Sequence, residues 1–372
     1  MKIALLGDIG FFGKFSNTNS SLEGYFDSYL RAISDCDYIV GNLEIPFTDI
    51  FKEYKPKSAV IGSSSKSAAL LSQLKLTHVN LANNHIGDFG LEGYSLTKKI
   101  LEKNDIHYFG IEGIKSYVHH DNNRICLSGF CNMNANPVFL HNIDNKLYGV
   151  NVADADIIEK ELLETDTLGY LNIIAFHSGL EHIHLPSIED ISFFRYLANK
   201  IDFVLYGHHP HVVQSFEKHK KSHLYYSLGN FCFDDVYSRK NKGTPLVRMS
   251  EANKLGLIPI LTIENNKVID IEHIWTYMGD ENMLILKEDG HPLINKITSE
   301  LSLANLDFND IDAIRKSDLM KISLQRKKSR NLQWYRDRLN LRYVKLYLQS
   351  KENYKLYKSK YLDKLNKKLD DV

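Results

Sequence analysis

The chain has 372 residues, 43% of them apolar and 25% charged, with 46 basic against 46 acidic side chains. That composition excludes a generally disordered chain, and the length is enough to bury a sizeable core in one large domain or two ordinary ones. The neutral total hides an asymmetry: residues 324–372 hold fifteen Lys and Arg against five Asp and Glu, so a basic tail follows an acidic body.

Met1-Lys2-Ile3-Ala4-Leu5-Leu6 runs directly into Gly7-Asp8, which leaves no room for the apolar stretch of a signal peptide. No later run approaches the length that spans a bilayer. Cys36, Cys126, Cys131 and Cys232 lack a Cys-x-x-Cys spacing and read as reduced, mostly buried thiols. The expectation is a cytoplasmic protein.

Residues 3–6 form a short apolar strand ending in Gly7-Asp8-Ile9-Gly10. A helical pattern over 22–33 leads to a buried strand over 37–44 that ends in Asn42-Leu43-Glu44. Residues 59–61 are a further strand candidate, followed by a helix over 66–74. Residues 77–81 then read as a strand running into Ala82-Asn83-Asn84-His85-Ile86-Gly87-Asp88. A helix over 92–103, short strands over 107–110 and 124–130, and a long loop over 131–151 follow. After a helix over 154–164, residues 171–177 form an apolar strand that delivers His177; a helix over 187–200 precedes a strand over 202–206 that delivers Gly207-His208-His209-Pro210-His211. Residues 223–228 are a strand ending in Gly229-Asn230-Phe231, and 257–263 with 268–274 read as a hairpin turning at Asn265-Asn266. The β-α-β alternation predicts an α/β fold with a largely parallel sheet.

Five strand ends thus carry Asp8; Asn42 with Glu44; Asn84 with His85; His177; and His208 with His209 and His211. Ligands bind at the carboxyl ends of strands in open α/β sheets. Carboxylates, Asn carbonyls and neutral imidazoles suit Mn²⁺, Fe²⁺ or Zn²⁺, and one or two such ions can generate hydroxide and clamp a phosphoryl group. A lone Asn-Asn pair reads equally well as a helix cap, and a lone strand histidine as a core residue with one partner. Concurrence at five ends favours the metal site, with His85 as a proton donor to a leaving group.

Gly7-Asp8, Gly41-Asn42-Leu43-Glu44, Ala82-Asn83-Asn84-His85 with Asp88, His177-x-Gly179-x-Glu181, Gly207-His208-His209-Pro210-His211 with Gln214, and Tyr226-Ser227-Leu228-Gly229-Asn230-Phe231 together resemble the CapA family of capsule and poly-γ-glutamate synthesis proteins. The resemblance covers residues 1–240. It implies a four-layer α/β/β/α sandwich of the metallophosphoesterase type over residues 1–295, with a helical, basic C-terminal extension over 296–372. It implies Asp8, Asn42, Glu44, Asn84, His177, His208 and His211 as metal ligands and His85 with Glu44 as catalytic groups. Asn83, Glu181, His209 and Asn230 are expected to contact substrate; as structural residues, Glu181 would be an exposed loop acid and Asn230 a turn asparagine. General metallophosphoesterases follow the first Asp with Asp-x-His, which Ile9-Gly10 replaces here, and the family's usual Trp after the strand-end His is Ser178.

Trp334, Tyr335, Leu339, Tyr343, Leu346, Tyr347, Tyr354, Tyr357 and Tyr361 alternate with Lys and Arg in the tail. Such a helix can lie on an anionic membrane face or meet a capsule-machinery partner, with nucleic acid less favoured; the structural alternative docks its Tyr/Leu stripe on the acidic body. The expected function is hydrolysis or transfer on an anionic envelope polymer or another phosphoester. The alternatives are a cytoplasmic metallophosphoesterase on a nucleotide or sugar-phosphate, and a non-catalytic assembly subunit.

Overall fold

The computed structural model describes residues 1–16, 22–137, 149–237, 245–328 and 339–370. Lys2–Ile9 (β1), Tyr38–Leu43 (β2), His78–Asn80 (β3) and His107–Phe109 (β4) lie side by side and parallel. Ser116–His120 (β5), Asn123–Cys131 (β6), Leu171–His177 (β7), Phe203–His208 (β8), Phe216–His219 (β9) and Ser222–Tyr225 (β10) form a second sheet, in the order β5-β6-β7-β8-β10-β9. Asn230–Cys232 (β11) crosses back to pair with β1, and Val236–Tyr237 (β12) with Pro245–Val247 (β13) makes a small ribbon. Leu255–Glu264 (β14), Lys267–Met278 (β15) and Met283–Leu286 (β16) add an antiparallel edge, so the first sheet runs β16-β15-β14-β1-β2-β3-β4.

The sheets pack face to face. Ile3, Leu5 and Val40 of one meet Leu127, Ile173 and Val204 of the other in a shared core. The alternate residues point outward: Ala4 and Leu6 toward Tyr29, Leu71 and Leu101, and Ile174 and Leu205 toward Ile158 and Phe194 on helices of the opposite face. Strands covered on both faces are apolar at consecutive positions, which is why β7 is buried along its whole length. The result is the expected four-layer α/β/β/α sandwich.

The hairpin turns where expected, with Asn265 and Asn266 both in the left-handed region at φ 49° and 62°, as a two-residue turn requires. Residues 59–61 do not form a strand; the Ile61 amide donates to the Asp88 side chain at 3.2 Å rather than to a ladder. The edge strands β5 and β9 escape the sequence pattern because they are short and half exposed. Within the long loop, residues 138–148 lie outside the described residues.

The tail forms the helices Phe308–Lys328, Leu341–Tyr357 and Asp363–Asp370. Tyr357, Tyr361 and Leu365 bury into the outer core beside Phe193 and Phe194. Lys364 donates to both oxygens of Asp154 at 2.6 and 2.8 Å, and Lys368 to Glu159 at 2.6 Å. Tyr357 and Tyr361 of the Tyr/Leu stripe therefore dock on the body while Leu339, Tyr347 and Tyr354 stay exposed, and Lys364 and Lys368 pair with acids. Trp334 and Tyr335 lie outside the described residues. Among the described residues, no helix is long and apolar enough to cross a membrane, and the four cysteines are free thiols.

Candidate metal centre

Parallel pairing brings the strand ends into register. Asp8 sits beside Asn42, Asn42 beside Asn80, and in the second sheet His177 beside His208. The backbone packs tightly where these residues are delivered, β1 against the turn into β11 and the end of β8 against the end of β10. A Cβ on Gly7 would lie 2.2 Å from the Gly229 carbonyl oxygen, and one on Gly207 1.8 Å from that of Tyr226. His209 and His211 then adopt φ 95° and 55°, a left-handed backbone that L side chains rarely take and that turns both rings inward.

Asp8, Glu44, His177 and His208 have no exposed surface. Asp8 Oδ1 lies 3.1 Å from His208 Nδ1, and Asp8 Oδ2 3.3 Å from His211 Nδ1. Glu44 Oε1 lies 3.6 Å from His211 Nε2, 3.8 Å from His177 Nε2 and 4.0 Å from His85 Nε2. Asn84 Oδ1 lies 3.2 Å from His177 Nε2. Asp8, Glu44, Asn84, His85, His177, His208, His209 and His211 thus meet around one point.

Burial would raise the Asp8 carboxyl, but His208 and His211 outweigh it and hold the group well below the usual carboxylate range. Glu44 goes the other way, pushed up to about 8 by burial and then by the charge of Asp8. His211 is raised to about 10, because Glu44 and Asp8 overcome its burial. His209 is lowered to about 4 and His177 falls well below its ordinary value, in both cases chiefly through burial.

His85 is oriented from behind. Its Nδ1 lies 2.7 Å from Asp88 Oδ2, and Lys57 Nζ donates to Asp88 Oδ1 at 3.2 Å while lying 3.1 Å from the same ring nitrogen. Burial first, and then the Lys57 charge, lowers the His85 imidazole, which favours its neutral form. Lys57 was missed in the sequence because it lies in an irregular segment outside every motif; its only signal is a lysine flanked by turn residues.

Three expected site asparagines have other duties here. Asn42 donates to Asp8 Oδ1 at 2.8 Å and accepts from Asn80 at 2.9 Å, so its amide is spent aligning Asp8. Asn83 donates to the Leu43 carbonyl and accepts from the amides of His85 and Ile86, which makes it the cap of the turn. Asn230 fixes His211, with Oδ1 2.9 Å from the ring and Nδ2 donating to the Asn253 carbonyl at 3.0 Å. Glu181 lies at the cleft mouth, with an oxygen 3.4 Å from Arg326.

The cluster fits a cation. Of the buried side-chain polar atoms without a hydrogen-bond partner among the described residues, both Glu44 oxygens, both His208 nitrogens, and Nδ1 of His177 and of His209 belong to this one place. Buried polar atoms are ordinarily paired, so such a concentration marks a group that completes them. Glu44, His209 and His211 each bring a ligand atom within 4.8 Å of the others. The centre opens into a cavity of about 390 Å³, with Lys57, Asn84, Asn134, Gly179, Glu181 and His209 among its walls.

The family model described as bacterial capsule synthesis protein PGA_cap matches residues 2–235, which include every residue of this centre. The chain belongs to this family. Curated relatives of the PGA_cap chain include the capsule biosynthesis protein CapA of Bacillus anthracis, 27% identical over 58% of this chain and 55% of the relative. The PGA biosynthesis protein CapA of Bacillus subtilis (strain 168) is 26% identical over 66% of this chain and 65% of its own length. The chain thus spans less than two thirds of either relative. Among solved structures, the NAD nucleotidase of Haemophilus influenzae aligns with a TM-score of 0.40 and 13% identity, covering 88% of this chain and 68% of that one.

Proposed function

We propose that this chain is a metal-dependent hydrolase or transferase that makes or trims an anionic capsule polymer, acting at a phosphoester, or at an amide if the polymer is polyglutamate. The observation that carries the reading is Glu44: a buried carboxylate with neither oxygen hydrogen-bonded, facing His85, His177 and His211. Asp8, Glu44, His177, His208, His209 and His211 would hold one or two ions of Mn²⁺, Fe²⁺ or Zn²⁺, with Asn84 beside them. The bound cation supplies Lewis acidity to a phosphoryl or carbonyl oxygen and lowers the pKa of water.

The chain's own groups do the remainder. Asp88 accepts from His85 Nδ1, which leaves Nε2 bare in the neutral imidazole and directed at the centre, where it takes a proton from the attacking nucleophile and the imidazolium so formed hands it to the leaving group. Asn42 and Asn230 keep Asp8 and His211 in line. Turnover of bis(p-nitrophenyl) phosphate by the Mn²⁺-loaded chain, abolished in the His85→Ala, His208→Ala double variant, tests the reading; retained turnover in that variant sinks it.

The cavity volume of about 390 Å³ favours a second reading, a phosphatase or phosphodiesterase for a nucleotide or sugar-phosphate, since ligand pockets for small molecules start at roughly 300 Å³. High turnover of p-nitrophenyl phosphate would support it, and a strict requirement for polymer would exclude it. We also assign a peripheral contact with an anionic membrane face to the tail, where Leu341, Tyr347 and Tyr354 are exposed beside lysines. Salt-sensitive co-sedimentation with phosphatidylglycerol vesicles is expected; indifference to such vesicles removes the assignment.

A further inference from the structure

The cleft leading out from His209 and Asn84 is not walled by the family's domain alone. Leu319, Ile322 and Arg326 of the helix Phe308–Lys328, with Leu346, Gln349 and Ser350 of the helix Leu341–Tyr357, form one of its sides. Both helices lie beyond residue 235, where the family match ends.

This wall is tied down at three segments that border the cleft. Arg342 donates to the Lys57 carbonyl at 2.9 Å and grips Glu53 through Nε at 3.2 Å and Nη2 at 2.9 Å. Asn353 donates to the Asn136 side chain at 3.4 Å and to the Pro137 carbonyl at 3.5 Å. Tyr361 donates to Asp190 at 2.9 Å, and the other oxygen of Asp190 accepts from Ser178 at 3.1 Å, the residue that follows His177. The helix Leu341–Tyr357 and the turn after it are thus fastened to the segments around Lys57, Asn136 and Ser178, and Arg326 of the helix Phe308–Lys328 meets Glu181 at 3.4 Å.

We propose that these two helices select the substrate, favouring a phosphate ester whose organic substituent is apolar. The proposal rests on the metal-centre reading above and names the class of molecule that the centre acts on. The phosphoryl group enters past Asn84 and His209. Its organic substituent lies against the apolar side chains of Leu319, Ile322 and Leu346.

The test is equilibrium binding by titration calorimetry on the full chain purified with Mn²⁺, using inorganic phosphate and phenylphosphonate as probes. Leu346→Trp fills the cavity beside the wall, and Ile322→Trp does so from the facing helix; both positions are partly exposed, so a larger ring does not disturb a core. Each variant should weaken phenylphosphonate at least tenfold and leave phosphate within twofold of wild type. Unchanged phenylphosphonate affinity in both folded variants, with wild type binding both probes, overturns the wall and leaves the metal centre standing. Wild-type protein that binds Mn²⁺ but neither probe overturns the substrate class. Failure to bind Mn²⁺ at all overturns the centre and the wall together.

Discussion

Glu44 Oε1 lies 3.6 Å from His211 Nε2, a carboxyl raised to about 8 beside an imidazole raised to about 10. Burial and the Asp8 charge make the ionised form of Glu44 costly, so the cluster is electrostatically strained until a cation joins it. Between its unfolded value near 4.5 and about 8, folded Glu44 keeps a proton that the unfolded chain has released. Stability therefore falls as pH rises through that window. Chelator-treated protein should be less stable at pH 9 than at pH 6, and Glu44→Gln should flatten the decline by on the order of 2 kcal/mol. Urea denaturation of both proteins across that range measures it; parallel curves would contradict the strain.

Asp88 links Lys57 to His85 and is itself buried. Asp88→Asn should keep metal content and lower phosphodiester turnover by roughly 10- to 100-fold, the usual effect of losing a partner behind a site residue. Lys57→Met leaves Asp88 without its cation and should destabilise the fold by about 3 kcal/mol. Wild-type turnover in Asp88→Asn would show that His85 needs no orienting partner.

Gly207 stands where a side chain would strike the Tyr226 carbonyl, the tightest such approach among the glycines of the centre. Gly207→Ala must push the end of β8, which carries His208, away from the end of β10, at a cost of about 2 kcal/mol or more. Thermal unfolding with and without Mn²⁺ should show a lower melting temperature and a smaller shift on metal addition. An unshifted melting temperature would mean that the close approach is not needed.

Tyr361 joins the end of the chain to Asp190, a buried carboxyl whose pKa burial raises despite the donors around it. Tyr361→Phe removes one of those donors and should cost on the order of 1–2 kcal/mol in urea denaturation, with metal content unchanged. Equal stability of the two proteins would indicate that the terminal helices are held by their apolar contacts alone.

The strand ends were legible because a strand covered on both faces must be apolar along its length, so a polar residue at its end stands out. Leu171–His177 is the clearest instance, read from the sequence with the bounds that the structure gives. The residue types at the centre were legible for the same reason, whereas their individual duties were not. Asn42, Asn83 and Asn230 carry donors and acceptors that suit a ligand or a scaffold equally, and only tertiary placement spends them on Asp8, Leu43 and His211. Lys57 lay hidden because an irregular segment has no periodicity to read. Leu346 was legible as an apolar residue of the tail whereas Leu319 and Ile322 were not singled out, and the place of all three on the cleft depends on long-range ties such as Arg342 to Glu53.

The central claim is that Asp8, Glu44 and the four histidines around them hold a metal ion. Inductively coupled plasma mass spectrometry on untagged protein, purified without chelator beside the His208→Ala, His211→Ala variant, tests it most directly. The account predicts one or two transition-metal ions per chain in the wild type and a loss of them in the variant. Wild-type protein that is metal-free and still refuses Mn²⁺, Fe²⁺ and Zn²⁺ on titration would contradict it and leave a non-catalytic assembly subunit as the better reading.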